Sequence, residues 1–341
     1  MAALTQELSW LTKGSRLLGN VAVGKLFLCN WQITYRCDFA CQSCLFWREE
    51  HRASDELTLD QIRLAAEKLA PLAPLAISMS GGEPLLREDL PEIARILSKD
   101  HFFSIITNGW LVTREKARAL YEAGLGDVHV SLDYASAARH DAQRGRPGSF
   151  ERALRALEIF RDTRPDRRHR VHALAMLLED NLDDLEKLVL LAEELGISVE
   201  LSLYSDRRGK LPRRNPSRPV SEFLRQLKAH HPQAFVPMRG YLDAFDDAVA
   251  NHGVPACQAG NTFFNVDDRG NVGLCINELD RPVGNLLTAP ADLLTQRLAE
   301  RARSNPCGAC WTSCRGLGDV IAGPGGLAKS ATDFYRAIRS R

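Results

Sequence analysis

From residue 26 to residue 204 the chain alternates short apolar runs with stretches whose apolar residues return every three or four positions. The runs Leu26–Thr34, Leu75–Ser80, Phe102–Thr107, Asp127–Asp133, Arg170–Leu177 and Ile197–Tyr204 have the length and composition of strands. Between them, Thr58–Leu69, Asp89–Ser98, Thr113–Glu122, Ser149–Arg161 and Leu182–Leu195 carry the helical period. Thr58 and Thr113 stand where helix N-caps belong, and Gly124 and Gly196 where helices stop. This alternation predicts a parallel sheet with right-handed crossovers. Six such units suit an open, partial barrel, because a closed eightfold barrel takes about 250 residues.

Two strands show a second period. Val128, Val130 and Leu132 share one face, while His129, Ser131 and Asp133 share the other. Val199, Leu201 and Leu203 oppose Glu200, Ser202 and Tyr204 in the same way. A parallel strand covered on both sides should be apolar throughout. A polar second face therefore predicts an inner sheet surface that holds ligand and water. Residues 206–219 read DRRGKLPRRNPSRP, a basic, proline-rich stretch expected to be a solvated loop. It separates an expected barrel, residues 31–220, from a C-terminal unit, residues 221–341, and residues 1–30 form a helical extension. In that extension Leu4, Leu8 and Leu11, with Trp10 beside them, form an apolar stripe expected to pack on the barrel; a membrane surface is the other partner such a stripe fits. The hairpin pattern Thr262–Asp267, Asp268-Arg269-Gly270, Asn271–Cys275 opens the C-terminal chemistry.

Charge and composition narrow the class. Lys+Arg 44 against Asp+Glu 43 gives a net charge of +1, which predicts no nucleic-acid partner. A mean hydropathy of −0.23 and the lack of a long apolar run predict no transmembrane helix, and the N-terminus does not read as a secretory signal. A cytoplasmic protein is expected. The nine cysteines then stand out, at 29, 37, 41, 44, 257, 275, 307, 310 and 314. Two tight groups, with residues 45–256 free of cysteine, predict metal or iron–sulfur sites rather than a disulfide scaffold. Cys29 falls inside a strand and reads as a core thiol.

Cys37, Cys41 and Cys44 have the spacing C-x3-C-x2-C directly after the first strand. Three thiolates on one short loop can hold three irons of a 4Fe–4S cluster and leave the fourth open to a small molecule. A zinc knuckle is the alternative, with His51 as its nearest further ligand. Gly81-Gly82-Glu83-Pro84, Thr107-Asn108-Gly109 and Ser131-Leu132-Asp133 follow at the carboxyl ends of the next three strands, where parallel sheets bind ligands.

With these motifs in this order, the chain resembles the radical S-adenosylmethionine (radical SAM) superfamily. The resemblance implies an α/β fold, a partial (β/α)6 TIM-like barrel. It implies that Cys37, Cys41 and Cys44 ligate a SAM-binding 4Fe–4S cluster. Gly81, Gly82, Glu83, Asn108, Ser131, Asp133 and Arg144 then bind S-adenosylmethionine, with Glu83 toward its amino group and Arg144 toward its carboxylate. It further implies reductive cleavage to a 5′-deoxyadenosyl radical that takes a hydrogen atom from substrate, for oxidation or bond formation in biosynthesis. The residue before the third cysteine, usually aromatic in the family, is Ser43; Phe39, Phe46 or Trp47 are its substitutes toward adenine.

Cys257-x12-Gly270-x4-Cys275, then Cys307-x2-Cys310-x3-Cys314, resembles the SPASM or twitch extension of that family, a small α+β domain. Five cysteines imply one auxiliary 4Fe–4S cluster held by Cys257, Cys275, Cys307 and Cys310, with Cys314 the other choice of fourth ligand; zinc on the same residues is the alternative. Sulfatase-maturating relatives place an acid directly after the hairpin's second cysteine. Here Ile276 follows, so that activity is set aside. Glu278, Glu200 and Tyr204 are the candidate catalytic proton acceptors or substrate ligands. The expected substrate is a small molecule or a peptide. The short segment before the first strand leaves no room for a leader-binding domain, so a peptide would need its leader bound in trans. A lipid-modifying enzyme and a non-catalytic iron–sulfur carrier are the remaining readings. A flavodoxin or ferredoxin is the expected electron donor.

Overall fold

The computed structural model describes residues 2–205, 214–278 and 280–323, together with 325, 326, 328, 330, 332 and 333, and side chains from Trp10 onward. The side chains of Leu4 and Leu8 and the basic residues 206–213 lie outside the described residues.

Six parallel strands lie side by side in chain order: β1 (Leu28–Thr34), β2 (Ala76–Gly81), β3 (Phe102–Thr107), β4 (Leu125–Ser131), β5 (Val171–Leu177) and β6 (Ser198–Leu203). The free edge of β1 takes a seventh strand, β7 (Phe263–Val266), parallel and with Leu28 opposite Phe263. Two short antiparallel strands, β8 (Asn271–Gly273) and β9 (Gly284–Asn285), complete an open nine-stranded sheet. The hairpin expected at residues 262–275 is present, and it continues the barrel sheet itself.

The helices are α1 (Ala2–Ala22), α2 (Leu59–Leu69), α3 (Leu90–Ser98), α4 (Arg114–Glu122), α5 (Ala137–Arg144), α6 (Ser149–Thr163), α7 (Leu182–Leu195), α8 (Ser221–His230), α9 (Arg239–Asp243), α10 (Phe245–Ala250), α11 (Ala291–Arg303) and α12 (Ser313–Ala322). Thr58 starts α2 with a reciprocal capping box to Gln61, and the Thr113 hydroxyl accepts from the Lys116 amide at the start of α4. Gly196 ends α7 in the left-handed conformation, φ 64. β4 starts two residues earlier than the pattern predicts and stops at Ser131, with a register shift against β3 between Phe103 and Ser104. Asp133 therefore sits in the loop beyond the strand. Helix α5 escapes the pattern because the residues it buries are His140 and Gln143, not an apolar stripe.

The two faces of the sheet differ as the alternation predicts. Val128, Val130, Val199 and Leu201 are buried, and Val130 faces α6 closely enough that a Cβ on Gly109 would meet both Val130 and Ala156 at 3.0 Å. The opposite face carries polar side chains that bond one another: Gln32 Nε2 donates to Ser80 Oγ at 3.2 Å, and His172 Nδ1 lies 2.7 Å from Ser198 Oγ. Helix α12 touches β1, β6 and β7, and so spans the open side of the barrel. Its first residue, Ser313, donates its amide to Ser202 Oγ on the inner face at 3.3 Å. Helix α1 lies against the barrel exterior: Trp10 meets Phe102 edge to face at 5.9 Å and Lys13 Nζ donates to the Ser98 carbonyl at 2.8 Å. Leu11 and Leu18 stay exposed. Among the described residues no helix is long and apolar enough to cross a membrane.

Candidate functional site

The first three cysteines lie on the loop that leaves β1, and the neighbouring strand ends clamp that loop. The clamp from β2 depends on two residues without side chains. The Gly82 amide donates to the Thr34 carbonyl at 2.7 Å and the Glu83 amide to the Arg36 carbonyl at 2.8 Å. A Cβ on Gly81, whose φ is +130, would stand 2.0 Å from the Thr34 oxygen, and one on Gly82 2.0 Å from the Arg36 oxygen. No larger residue allows this approach. From β3, Asn108 Nδ2 donates to Asp38 Oδ1 at 2.8 Å. From the end of α5, Gln143 accepts the Gln42 amide at 2.9 Å, and Arg146 Nη1 donates to Asp38 Oδ2 at 2.7 Å while stacking 3.6 Å over Trp110. Asp38 and Arg146 are the positioning residues that motif reading misses. Their signal is the paired charge beside the cysteine and arginine motifs.

Arg144 reaches from α5 to both sides of the site. Its Nη2 lies 2.7 Å from Asp133 Oδ2, and its guanidinium also bonds the Cys41 thiol, which offsets part of the rise that burial imposes there. Arg144 Nε is buried without a partner, as is Gln143 Nε2 next to it. These orphaned donors sit beside the cysteine loop, where an anionic ligand would satisfy them. Asp133 is buried, accepts the Met176 amide at 3.0 Å, and its carbonyl accepts from Asn181 Nδ2 at 2.8 Å. Ser131 is buried at the end of β4. Glu83 is turned inward. Its carboxylate accepts from the Leu85 amide at 3.0 Å, Thr107 Oγ1 at 2.8 Å and the Asn108 amide at 2.7 Å. Burial pushes its carboxyl up to about 7 against those three bonds. Glu83 thus ties the ends of β2 and β3 together under the cysteine loop. Phe39 is buried against Trp110, and Phe46 packs 4.8 Å from Tyr35. Trp47 is partly exposed and donates to the Cys41 carbonyl at 3.1 Å.

The second group of cysteines is built around a buried cation. Arg315, 1% exposed, donates to the Cys310 carbonyl at 2.7 Å, to the Pro255 carbonyl at 3.2 Å and to Asp319 Oδ2 at 3.0 Å, and it also bonds the Val254 carbonyl. Its Nη1 comes to 4.0 Å from Cys310 Sγ. The Cys257 amide donates to the Cys307 carbonyl at 3.3 Å. Gly253, with φ +141, lets that loop close: a Cβ there would meet the Gly308 oxygen at 2.0 Å. Cys257, Cys275 and Cys310 lie near enough for their charges to couple, so this set comes together from three separate segments. Cys314 lies in the first turn of α12, with its sulfur 3.3 Å from Thr312 Oγ1. Burial holds Cys37, Cys257 and Cys275 up at about 12, so as bare thiols they are protonated at neutral pH and poor nucleophiles. Among the described residues no three cysteine sulfurs lie within 4.8 Å of one another. A tetrahedral zinc, with Zn–S near 2.3 Å, draws its sulfurs to about 3.8 Å apart. The wider setting and all-sulfur donors fit iron–sulfur clusters better. Cys29 is buried in β1 and serves the core.

The three candidate catalytic residues occupy three different places. Glu200 lies on the inner face, its Oε2 3.1 Å from His129 Nδ1. Tyr204 is buried with Tyr134 and Leu178. Glu278 faces Arg301 at 3.5 Å in an open cavity of about 570 Å³ on the C-terminal unit, which Arg281 and Arg297 also line. Tyr241, whose hydroxyl donates to the Trp311 carbonyl at 3.1 Å, feels the charge of Cys310, Cys314 and Glu200 alike. The second cysteine group therefore borders the polar interior of the barrel.

A model of the radical SAM superfamily matches residues 31–192. An AdoMet-dependent heme synthase from Methanosarcina barkeri is 34% identical over 170 residues, 50% of this chain and 48% of that protein, so the chain spans about half that relative's length. The mycofactocin maturase MftC of Mycolicibacterium smegmatis is 26% identical over 314 residues, 84% of this chain and 76% of that protein. The crystal structure of Streptococcus suis SuiB bound to its precursor peptide SuiA shares the fold, with a TM-score of 0.66 at 15% identity, over 91% of this chain and 76% of that one.

Proposed function

The chain belongs to the radical SAM superfamily, and on that premise we propose that it is a peptide-modifying enzyme with two 4Fe–4S clusters. Cys37, Cys41 and Cys44 hold the cluster that binds S-adenosylmethionine. Cys257, Cys275, Cys307 and Cys310 hold the auxiliary one, with Cys314 the alternative fourth ligand. When bound, the first cluster and S-adenosylmethionine together supply a 5′-deoxyadenosyl radical that removes a hydrogen atom from substrate. The residues of the chain do the rest. Gly81, Gly82, Asn108 and Arg146 fix the cysteine loop. Arg144, held by Asp133, presents a cation and an unpartnered Nε–H to the methionine carboxylate, and Ser131 joins it from the buried end of β4. Glu83 sets the geometry from beneath. The polar inner face, closed by α12, orients the substrate and keeps bulk water from the reacting carbon.

The observation that carries this reading is the cysteine loop clamped at the carboxyl edge of the sheet by the ends of β2, β3 and α5. The peptide substrate is supported by the relative that aligns across most of the chain, a mycofactocin maturase, and by the SuiB fold, which has been seen with a precursor peptide. A small-molecule substrate is the second reading, supported by the higher identity to a heme synthase over half the chain. A cytoplasmic setting and a flavodoxin- or ferredoxin-type electron donor follow from low-potential clusters.

The test is anaerobic reconstitution, iron counting, and assay of 5′-deoxyadenosine after dithionite and S-adenosylmethionine are added. About eight irons, with nucleoside formation abolished by Cys37→Ala, are expected. Four irons, or nucleoside formation independent of Cys37, would defeat the proposal. Deuterium transfer from labelled candidate peptides into the nucleoside then separates the peptide reading from the small-molecule one.

A further inference from the structure

We propose that His129, His172 and Glu200 form a separate site for a single divalent cation of the zinc class on the inner face of the barrel. The three residues come from adjacent strands β4, β5 and β6. His129 and His172 are register partners, and Glu200 stands one step further along β6, beside Leu174. Each offers a donor atom, and all three atoms lie within 4.8 Å of one another, the one such grouping among the described residues. His129 Nδ1 and Glu200 Oε2 are 3.1 Å apart. Bonds of about 2.0–2.1 Å to one cation place neighbouring ligands about 3.0–3.4 Å apart, so this pair already has the edge length of a coordination polyhedron.

His172 supplies a second, independent observation. It is fully buried, its Nδ1 is fixed by Ser198 Oγ at 2.7 Å, and its Nε2 is buried with no partner. An imidazole held at one nitrogen by a hydroxyl, with the other left over, is the arrangement that outer-shell contacts impose on metal-ligating histidines. Burial holds this imidazole near 4, so it is neutral and ready to ligate at neutral pH. The imidazole rings of His129 and His172 stack at 4.8 Å with planes 13° apart, so taking one cation turns a ring out of the stack to bring both nitrogens onto it.

The local charge also suits a cation. Asp127 is neutralised by Arg170, whose Nη2 lies 3.0 Å away, which leaves Glu200 as the anion facing the two imidazoles. At present that anion draws a proton onto His129, whose imidazole is raised by Glu200 against its burial. A divalent cation would replace that proton. Two imidazoles and one carboxylate leave at least one coordination position open, and His129 and Glu200 are both partly exposed, so that position is reachable from the inner face on which they stand. A substrate carboxylate, carbonyl or hydroxyl could take it. Ser131, two residues after His129 on the same face, places this position next to the proposed S-adenosylmethionine pocket.

The experiment uses the cluster-loaded protein with zinc as the probe. After incubation with zinc and washing with a weak chelator, zinc and iron are counted per chain and the zinc K-edge spectrum is recorded. About one zinc per chain is expected, with nitrogen and oxygen neighbours near 2.0–2.1 Å and no sulfur near 2.3 Å. His172→Gln and Glu200→Gln should each lower retention at least tenfold, and Ser198→Ala about tenfold, with iron unchanged. No retained zinc, a sulfur shell around the zinc, or equal retention in all three variants would overturn the proposal. The wild-type spectrum decides even if a variant fails to fold, because a zinc held by the cysteines carries sulfur neighbours.

Discussion

Arg315 offers the sharpest quantitative test of the auxiliary site. It is a buried cation 4.0 Å from Cys310 Sγ, a proposed ligand of the auxiliary cluster. At an effective dielectric of about 20, two unit charges at that distance interact by ~4 kcal/mol. An electron added to the cluster is spread over all its irons, so about half of that, ~2 kcal/mol, is the attraction Arg315 gives the reduced form. For a one-electron couple this is ~90 mV. Arg315→Gln should therefore lower the auxiliary potential by ~90 mV, and Arg315→Lys should recover most of it. Asp319, whose carboxyl burial raises despite Arg315, can soften the effect by taking up a proton. The loss in Arg315→Gln should then be larger at pH 9 than at pH 6. The assay is an anaerobic redox titration followed by electron paramagnetic resonance, which keeps the two clusters apart by their different ligand sets. An unchanged potential in Arg315→Gln, or an equal fall in Arg315→Lys, would refute the electrostatic argument and leave Arg315 only its hydrogen bonds.

Other expectations separate the two cysteine sites and the role of Glu83. Gly82→Ala forces a Cβ to within 2.0 Å of the Arg36 oxygen, so it should cost the first site its roughly four irons while the auxiliary site keeps its own, as read by iron counts on a protein with wild-type helix content. Gly253→Ala, where a Cβ meets the Gly308 oxygen at 2.0 Å, should give the mirror result: the auxiliary irons are lost and S-adenosylmethionine still binds. Arg146→Ala removes the Asp38 pair and should weaken S-adenosylmethionine binding about tenfold in anaerobic equilibrium dialysis, the order of one charged hydrogen bond of about 1.5–3 kcal/mol. Glu83 sits near 7 in the folded chain against an ordinary 4.5, so the folded state holds its proton longer than the unfolded one does. Its contribution is complete at low pH and is lost as pH rises through 7, by about 3 kcal/mol. Glu83→Gln should flatten the difference between urea midpoints at pH 5.5 and pH 8; an unaltered difference would place that pH dependence elsewhere.

The barrel was legible because its strands and most of its helices obey simple periods. The polar face of β4 and β6 was legible as alternation, and the structure gives it a function by turning Asp127, His129, Ser131, Glu200 and Ser202 to one side of the sheet. What escaped has physical reasons. Helix α5 buries His140 and Gln143, so no apolar stripe announces it. His172 is followed by a wholly apolar run, residues 173–178, and only the in-register pairing with His129 shows that it shares the polar face. Arg315 reads as one more surface arginine near a cysteine, and its burial depends on carbonyls from residues 254, 255 and 310 that no local pattern brings together. Glu278 reads as an acid close after the hairpin's second cysteine and Tyr204 as part of the polar face of its strand; the fold places Glu278 in an open cavity and packs Tyr204 with Tyr134 and Leu178.

The topology also brings two cysteine groups more than two hundred residues apart to the same sheet. β7 takes its register from β1, the strand whose end carries Cys37, so the hairpin leading to Cys275 is positioned by the same hydrogen-bond ladder that positions the first site. From the other side, α12 closes the sheet by touching β6 and β1 together, its first residue Ser313 bonds Ser202 on β6, and Cys310 and Cys314 flank that residue in the chain. A shift of β7 by one residue would turn every side chain of that strand to the opposite face and move Cys257 and Cys275 with it. The two sites are thus coupled through main-chain pairing. A substitution that weakens the β1–β7 pairing, such as Phe264→Pro, which removes an amide from the ladder, should release auxiliary iron and loosen α12 while leaving β2 to β6 intact. Hydrogen exchange should then rise at residues 263–273 and 313–322 together; a rise confined to the hairpin would show that α12 is held by β6 alone.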